Sequence, residues 1–165
     1  MILSELETQI YYRDAQLAQL PSDSVFMSLL DRAITNVRSE LRYFEPDKLE
    51  VWIENQVSPV SFPDDLEISE LAMFYPKGEY ELPMGSQYIS ERNSKWYVEG
   101  FLEFSVKYSK HLPRFTAMTQ DLVFKSRKSE EIIISEMMNL IYRWKEENES
   151  TPSVQEAIEQ SNRVK

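Results

Sequence analysis

Apolar residues recur with helical spacing most strongly between residues 129 and 148. Spacings of three and four residues recur among six of them, which therefore share one side of a helix. They are Ile133, Ile134, Met137, Met138, Ile141 and Trp144. Ile132, Leu140 and Tyr142 widen this side, so the helix must be covered on more than one side. The pattern predicts a long helix, N-capped by Ser129, that lies in the core or against a second subunit.

Two more helices are expected at the start of the chain. Residues 4–20 have apolar residues on one face, and Pro21 should end this first helix because the residue before a proline disfavours helical geometry. Ser22 and its neighbours offer N-caps for a second helix that runs to about Arg42. The two helices are predicted to form an antiparallel hairpin.

The apolar period changes to two in the middle of the chain, which is typical of strands. Residues 48–54, 66–74 and 96–108 are the predicted strands, and Gly100 is expected to mark a bulge or bend in the last of them. Residues 122–124 are expected to add one short strand. The fold class is therefore α+β, with an antiparallel, strand-rich middle segment.

Residues 79–94 are polar, contain Pro83 and Gly85, and are predicted to form one long loop. Long loops in compact domains are usually functional or mobile. This one carries four side chains that gain free energy by leaving water, namely Tyr80, Met84, Tyr88 and Ile89. We therefore expect a neighbouring subunit or another partner to order the loop and to bind these four residues.

A polar break at 146–150 separates the long helix from the C-terminal residues. Pro152 suits the first turn of a short last helix, and Val154 and Ile158 give it a thin apolar edge that is a second candidate partner-binding surface. Residues 1–150 are accordingly interpreted as a single α+β domain, and residues 151–165 as a short terminal helix and flexible tail.

Composition excludes several classes of function. The chain has no cysteine, one histidine and three glycines, so thiolate sites, disulfides and a phosphate-binding glycine loop are not expected. The balance of 18 basic and 28 acidic residues, 18 − 28 = −10, disfavours non-specific nucleic-acid binding. No apolar run approaches the roughly 20 residues of a membrane span, and no signal peptide is expected. We predict no catalytic residue, no metal and no cofactor.

The remaining candidate sites each have a simpler explanation. Asp64 and Asp65 could bind a metal, but they follow a proline and are more typical of a turn. His111 at a strand end is more often structural or exposed than a proton shuttle. The basic residues Lys125, Arg127 and Lys128 could contact phosphate, although a solvated linker is the simpler interpretation. An aromatic set favours a sheet face or a subunit interface over a ligand groove. It comprises Tyr88, Trp96, Tyr97, Phe101 and Phe104.

The order of elements resembles the head-to-tail adaptor proteins of tailed bacteriophages, also called head-completion or tail tubular connector proteins. The family shares a helical hairpin, a strand-rich middle with a long loop, a long apolar helix, an acidic break and a short terminal helix. The matching stretches are DSVFMSLLDRAITNVRSELR, VSFPDDLEISELAMF, WYVEGFLEFSVKY and SEEIIISEMMNLIYRWKEENESTPSVQEAIEQ.

This resemblance implies a structural protein of the virion, made in the host cytoplasm and located at the head–tail junction. Family members form a homo-oligomeric ring, with a dodecamer expected here, beneath the portal protein. The ring extends the DNA channel without binding DNA specifically and docks the next tail component, a nozzle or tail tube. The alternative is a small acidic interaction protein that inhibits a nucleic-acid enzyme, with its acids spread over one exposed face.

Overall fold

The computed structural model describes residues 1–14 and 20–150, which form two compact units. The helical unit comprises the described residues of 1–41 and 114–150, and the sheet unit comprises Arg42–Pro113. Four α-helices and two antiparallel three-stranded sheets lie within the described residues, so the α+β class is confirmed. Both units fall within the span 1–150 that the sequence assigned to one domain. The predicted terminal helix and tail of 151–165 lie outside the described residues.

The helical unit is organised around α4, Arg127–Ser150. Helices α1 (Leu3–Arg13) and α2 (Asp23–Asn36) both pack against α4. Helix α3 (Arg38–Phe44) follows α2 and contains the boundary between the two units. The apolar side chains of these helices supply the buried core of the unit. They include Leu6, Ile10, Phe26, Leu30, Ile34, Ile133, Ile134, Met137, Leu140 and Ile141. The prediction that the apolar side of α4 is core is confirmed for these five α4 residues, whereas Ile132, Met138 and Trp144 are half-buried and Tyr142 is exposed.

The N-terminal cap of α4 lies three residues earlier than expected. Ser126, and not Ser129, provides the N-terminal cap, because the Ser126 Oγ accepts the backbone N–H of Ser129 at 3.1 Å. Ser129 is itself fully buried, and its Oγ lies 2.9 Å from that of Ser126. The N-terminal cap is therefore formed by two serines that lie one turn apart. Arg127 and Lys128, between them, are part of the helix and not of a linker.

The first helix is shorter than the sequence suggested. It was expected to continue to residue 20 but ends at Arg13, since Asp14 has extended backbone angles. Ile10 is the last buried apolar residue of α1, and Arg13 at the end of the helix pairs instead with the carboxylate of Glu131 on α4. The second predicted helix is correct in extent but is interrupted once, at Val37, between α2 and α3.

The sheet unit contains two antiparallel sheets with facing apolar surfaces. The first has the order β1–β6–β3, and the second has the order β2–β5–β4. The strands are β1 Glu50–Gln56, β2 Val60–Ser61, β3 Met73–Pro76, β4 Ile89–Arg92, β5 Lys95–Val98 and β6 Phe104–Ser109. Their shared core contains Val60, Phe74, Trp96, Val98, Phe104, Val106 and Tyr108. Strands β1 and β3 are the two edges of the first sheet.

The prediction of one long loop over residues 79–94 is wrong for its second half. A short 3-10 helix covers Ser86–Tyr88, and β4 pairs with β5 of the same chain. These residues are therefore ordered within the subunit, not mainly by a neighbour. Strand β4 was not predicted because Ile89 is its single apolar residue, so its sequence has no period-two pattern. Pairing with β5 is what orders these residues as a strand.

The chain reverses between β4 and β5 in a two-residue turn. Arg92 pairs with Lys95, and the intervening Asn93 and Ser94 have φ values of 53° and 56°. Positive φ at both central residues is the geometry of a tight hairpin turn whose twist matches that of the flanking strands. The turn fixes the register of the hairpin.

The strand predicted over 96–108 is in fact two strands in different sheets. Residues 99–103 carry the chain from β5 to β6, and Gly100 there has a φ of +84°, which a residue with a side chain rarely adopts. Leu102, which continues the apolar alternation of β6 in the sequence, is 91% exposed. Because the alternation of apolar and polar residues continues through residues 99–103, it does not reveal that the chain passes there from one sheet to the other.

Two further strand predictions are wrong. Only the last two residues of 66–74 lie in β3, because the Glu67 carboxylate accepts the backbone N–H and hydroxyl of Ser69 and closes a turn. Residues 122–124 form no strand, and the pairing here is limited to an isolated antiparallel bridge between Asp121 and Ile2. The backbone N–H of Leu122 donates to the carbonyl oxygen of Met1 at 2.9 Å beside this bridge.

Candidate protein-binding surface

The outer face of the β1–β6–β3 sheet carries aromatic residues. Strand alternation turns the neighbours of Trp52 on β1 toward the shared core and turns Trp52 itself to the opposite side. There Trp52 pairs across the strands with Lys107, and Tyr75 lies on the same face of β3. Tyr80, in the segment after β3, packs against Trp52. We call these four residues, Trp52, Tyr75, Tyr80 and Lys107, the Trp52 face.

The rings of the Trp52 face hold one another in place. The Trp52 ring centroid lies 5.0 Å from that of Tyr75 and 5.9 Å from that of Tyr80. The Lys107 Nζ lies 5.5 Å from the Trp52 ring centroid, within range of a cation–π interaction. Tyr75 is buried beneath them, whereas Trp52 is 40% and Tyr80 is 54% exposed. Exposed aromatic rings on a rigid support are typical anchors of protein interfaces.

An apolar groove lies beside the edge of β3. Its lining includes Leu71, Met73, Pro83, Met84, Ile89 and Glu91, and its volume is about 530 Å³. The backbone N–H of Met84 donates to the carbonyl oxygen of Phe74 at 2.7 Å, which fixes one wall along β3. Leu71 on the other wall is 89% exposed. We call this feature the Leu71 groove.

Arg42 anchors the segment that leads to Leu71. Its guanidinium group binds the carboxylate of Glu70 and donates to the Ser109 Oγ at 3.1 Å. The Arg42 Nε lies 3.5 Å from a carboxylate oxygen of Glu50 on β1. Arg42 thus joins Glu70, the residue before Leu71, to strands β1 and β6. The wall of the groove that contains Leu71 is therefore held by side-chain contacts and not by strand pairing.

Residues at and just after the end of β6 also fix the segment that leads to Leu71, at Asp65 and Glu67. The His111 Nδ1 lies 2.9 Å from a carboxylate oxygen of Glu67, and the hydrogen bonds from His111 and Ser69 lower the pKa of Glu67 to about 2. The Tyr108 hydroxyl donates to Asp65 at 2.7 Å. Burial and the Asp65 carboxylate raise the pKa of Tyr108 to about 12, so this donor stays protonated at neutral pH.

The stability of the sheet unit should therefore depend on pH through Glu67. Because its folded-state pKa lies below the usual 4.5, the ionised carboxylate stabilises the fold above pH 4.5, and this contribution is lost as the pH falls toward about 2. We expect the free energy of unfolding, measured with urea at a series of pH values, to fall less steeply over this range in Glu67→Gln than in the wild type.

Glu99→Gln, which removes one exposed carboxyl group from the same unit, is the matched control for this experiment. It should keep the wild-type pH profile. A Glu67→Gln profile as steep as that of the wild type would contradict the assigned contact between Glu67 and His111.

No three His, Asp or Glu side chains among the described residues converge in a way that could hold a metal ion. Within residues 1–14 and 20–150, no helix combines the length and hydrophobicity that a membrane span needs. Comparison with family models, curated proteins and solved structures gives no match. The Trp52 face and the Leu71 groove are surfaces suited to contact with another protein.

The four loop residues predicted to bind a partner divide between surface and core. Tyr80 belongs to the Trp52 face. Met84 and Ile89 line the Leu71 groove and pack, half-buried, against the core of the sheets. Tyr88 is 41% exposed and packs edge-to-face on Phe101 at 5.4 Å. The C-terminal candidates Val154 and Ile158 lie outside the described residues.

The other candidate residues identified from the sequence lie in a turn, at the surface or in the core. Asp64 and Asp65 lie in a turn, where Asp65 accepts the Tyr108 hydroxyl. Lys125 is exposed, with its Nζ 4.0 Å from Asp121. Within the aromatic set, Trp96 and Phe104 are buried in the shared core. That placement agrees with a sheet face.

Sequence reasoning missed Trp52 and Tyr75. A usable signal exists on β1, where Trp52 lies between Glu50 and Glu54 in the outward phase of the alternation. A large aromatic residue in the polar phase of a strand indicates a surface that is covered by something else. The partnership with Tyr75 and Tyr80 depends on strand pairing, which the local pattern does not encode.

Proposed function

We propose that this protein is a structural component of a tailed-bacteriophage virion, a head-to-tail adaptor. Copies of the chain form a ring beneath the portal protein, extend the DNA channel, and dock the next tail component. The observation that carries the proposal is the Trp52 face, an aromatic surface on the outside of a sheet that the described residues leave partly uncovered. Such a surface suits a protein partner. The order of elements supports the choice of family.

The negative charge of the chain is consistent with a DNA conduit. With a net charge of −10, the protein offers phosphate groups few counter-charges, so DNA can slide past without being held. The same charge would serve an inhibitor that imitates DNA. Assembly state separates the two, because an inhibitor acts as a monomer or dimer whereas an adaptor forms a multi-subunit ring.

Native mass measurement and negative-stain imaging test the proposal. The full-length protein is examined alone and after mixing with the portal protein encoded by the same genome. We expect rings, either alone or seated on the portal. A compact monomer that ignores the portal in both measurements would contradict the adaptor function and favour the inhibitor.

Substitution of the Trp52 face tests its part in docking. The double variant Trp52→Ala and Tyr80→Ala should weaken binding to the portal or to the next tail component by tenfold or more, about the cost of removing an interface anchor. Tyr12→Ala is the matched control, because Tyr12 is an aromatic residue of α1 that is 80% exposed. Equal loss in both variants, or no loss in the double variant, would remove the Trp52 face from the mechanism.

A further inference from the structure

The Leu71 groove is lined mainly by apolar residues, and Glu91 is the acidic residue of its lining. Glu81 is exposed two residues before Pro83, which belongs to the wall. The carboxylate of Glu79 accepts the backbone N–H groups of Glu81 and Leu82, which lower the pKa of Glu79 and keep it ionised. Among the described residues, Glu81 and Glu91 form no salt bridge. We refer to Glu81 and Glu91 as the rim carboxylates.

Residues 123–128 have the complementary chemistry. Leu122 and Phe124 are fully buried and anchor the segment, so that Val123 and the cations that follow remain on the surface. Val123 is 39% exposed, and Lys125 is exposed beside Asp121 in a surface pair that contributes little stability. The segment thus offers one apolar side chain followed by a run of positive charge on a fixed backbone.

Two of these cations lie in the first turn of α4. Arg127 and Lys128 are exposed there, at the positive end of the helix dipole, where acidic residues are preferred. The charge of Arg127 is partly offset within the chain, because it helps to lower the pKa of Glu131 one turn later. Further negative charge from a partner at this end of α4 would be favourable.

We propose that residues 123–128 of one copy bind in the Leu71 groove of a second copy. This inference rests on the proposed function, because a ring requires contact between copies. Val123 enters the apolar lining of the groove, and the cations face the rim carboxylates. At physiological ionic strength charges are screened beyond about 8 Å, so the match matters only when the two surfaces touch.

The two surfaces are different, so the contact is heterologous. A copy whose groove is occupied can still bind a further copy through its residues 123–128. A copy whose residues 123–128 are bound can still receive a further copy in its groove. Such contacts continue from copy to copy and close into a ring when the rotation between neighbours permits it. A self-complementary dimer contact would not have this property.

Charge reversal tests the contact. The segment variant carries Lys125→Glu with Lys128→Glu, and the groove variant carries Glu81→Lys with Glu91→Lys. Each variant places like charges against each other and should weaken self-association by tenfold or more, measured by sedimentation velocity with and without the portal. An equimolar mixture of the two variants should assemble as the wild type does, because every groove then meets a segment of opposite charge. A single chain with all four changes should also assemble.

Matched controls carry the same change in net charge at exposed sites elsewhere. Glu99→Lys with Glu146→Lys matches the groove variant, and Lys95→Glu with Arg143→Glu matches the segment variant. Both should assemble normally. Because Glu91 accepts the Trp96 Nε1–H at 3.3 Å, melting curves check that the groove variant is folded, and Glu81→Lys alone covers the case in which it is not.

The outcomes separate this inference from the proposed function. If the wild type assembles and both variants assemble equally well, the contact is wrong while the ring stands. If the variants rescue each other but the wild type ignores the portal, the contact is right and the adaptor function is wrong. A wild type that is monomeric under every condition contradicts both. Folded variants that fail to assemble even when mixed would also overturn the contact.

Discussion

Replacing Trp96 with alanine is expected to lower the free energy of unfolding of the sheet unit by about 3–5 kcal/mol, the range for large aromatic truncations in a core. Trp96 is 1% exposed, and its ring lies 4.8 Å from that of Phe62 and 5.4 Å from that of Phe74. It comes from the second sheet and fills space against the first, so its loss leaves a cavity that neither sheet can close alone. Its indole N–H also donates to Glu91.

Urea unfolding followed by tryptophan fluorescence measures this effect. A Trp144→Phe background removes the tryptophan of the helical unit, so the signal reports on the sheet unit. Lys95→Ala is the matched control, because Lys95 is an exposed neighbour on the same strand, and it should change stability by about 0.5 kcal/mol or less. An unchanged midpoint in Trp96→Ala would show that the two sheets do not depend on this contact.

The second large effect is expected in α4. Ile134 and Ile141 are 1% and 0% exposed and lie two turns apart on the side of α4 that is core. Ile134→Ala or Ile141→Ala should each lower the free energy of unfolding of the helical unit by about 2–5 kcal/mol, since buried methylene groups are lost and a cavity remains. Circular dichroism in the far ultraviolet follows this transition, because the unit is mainly helical.

Asn139→Ala is the control in the same helix. Asn139 is exposed, and alanine has the higher helix propensity, so this variant should be neutral or slightly stabilising. A thermal shift near zero for both isoleucine variants would mean that this side of α4 is not buried in the isolated subunit. In that case α4 would gain its cover from another copy.

The elements that the sequence predicted well are those whose order is local. The apolar residues of helix α4 recur over several turns, and every turn indicates the same buried side of the helix. Strand β4 is the opposite case, because Ile89 is its one apolar residue and its partner β5 is what makes it a strand. Hydrogen bonds between strands depend on the partner's position, and a window of sequence does not contain that position.

The candidate surface was only partly predictable for the same reason. Tyr80 was identified as an apolar side chain in an otherwise polar segment. Its neighbours Trp52 and Tyr75 come from two strands that do not pair with each other but flank β6. The Leu71 groove similarly joins residues 71–74 to residues 83–91, and a backbone hydrogen bond from Met84 fixes one of its two walls along β3. Surfaces assembled across strands follow from topology, which periodicity does not reveal.

The helical unit is discontinuous in the chain, whereas the sheet unit is one uninterrupted segment between its two parts. This arrangement sets an order of completion on the ribosome, which releases the chain from its N-terminus at roughly 5–20 residues per second. Every strand of the sheet unit has been made once Pro113 emerges. Helices α1 and α2, although made first, wait with Phe26 and Leu30 uncovered until α4 is translated. Of the two units, the one whose first helices precede the sheet unit is thus the later to acquire its core, and it is there that a chaperone would have the longest time to bind.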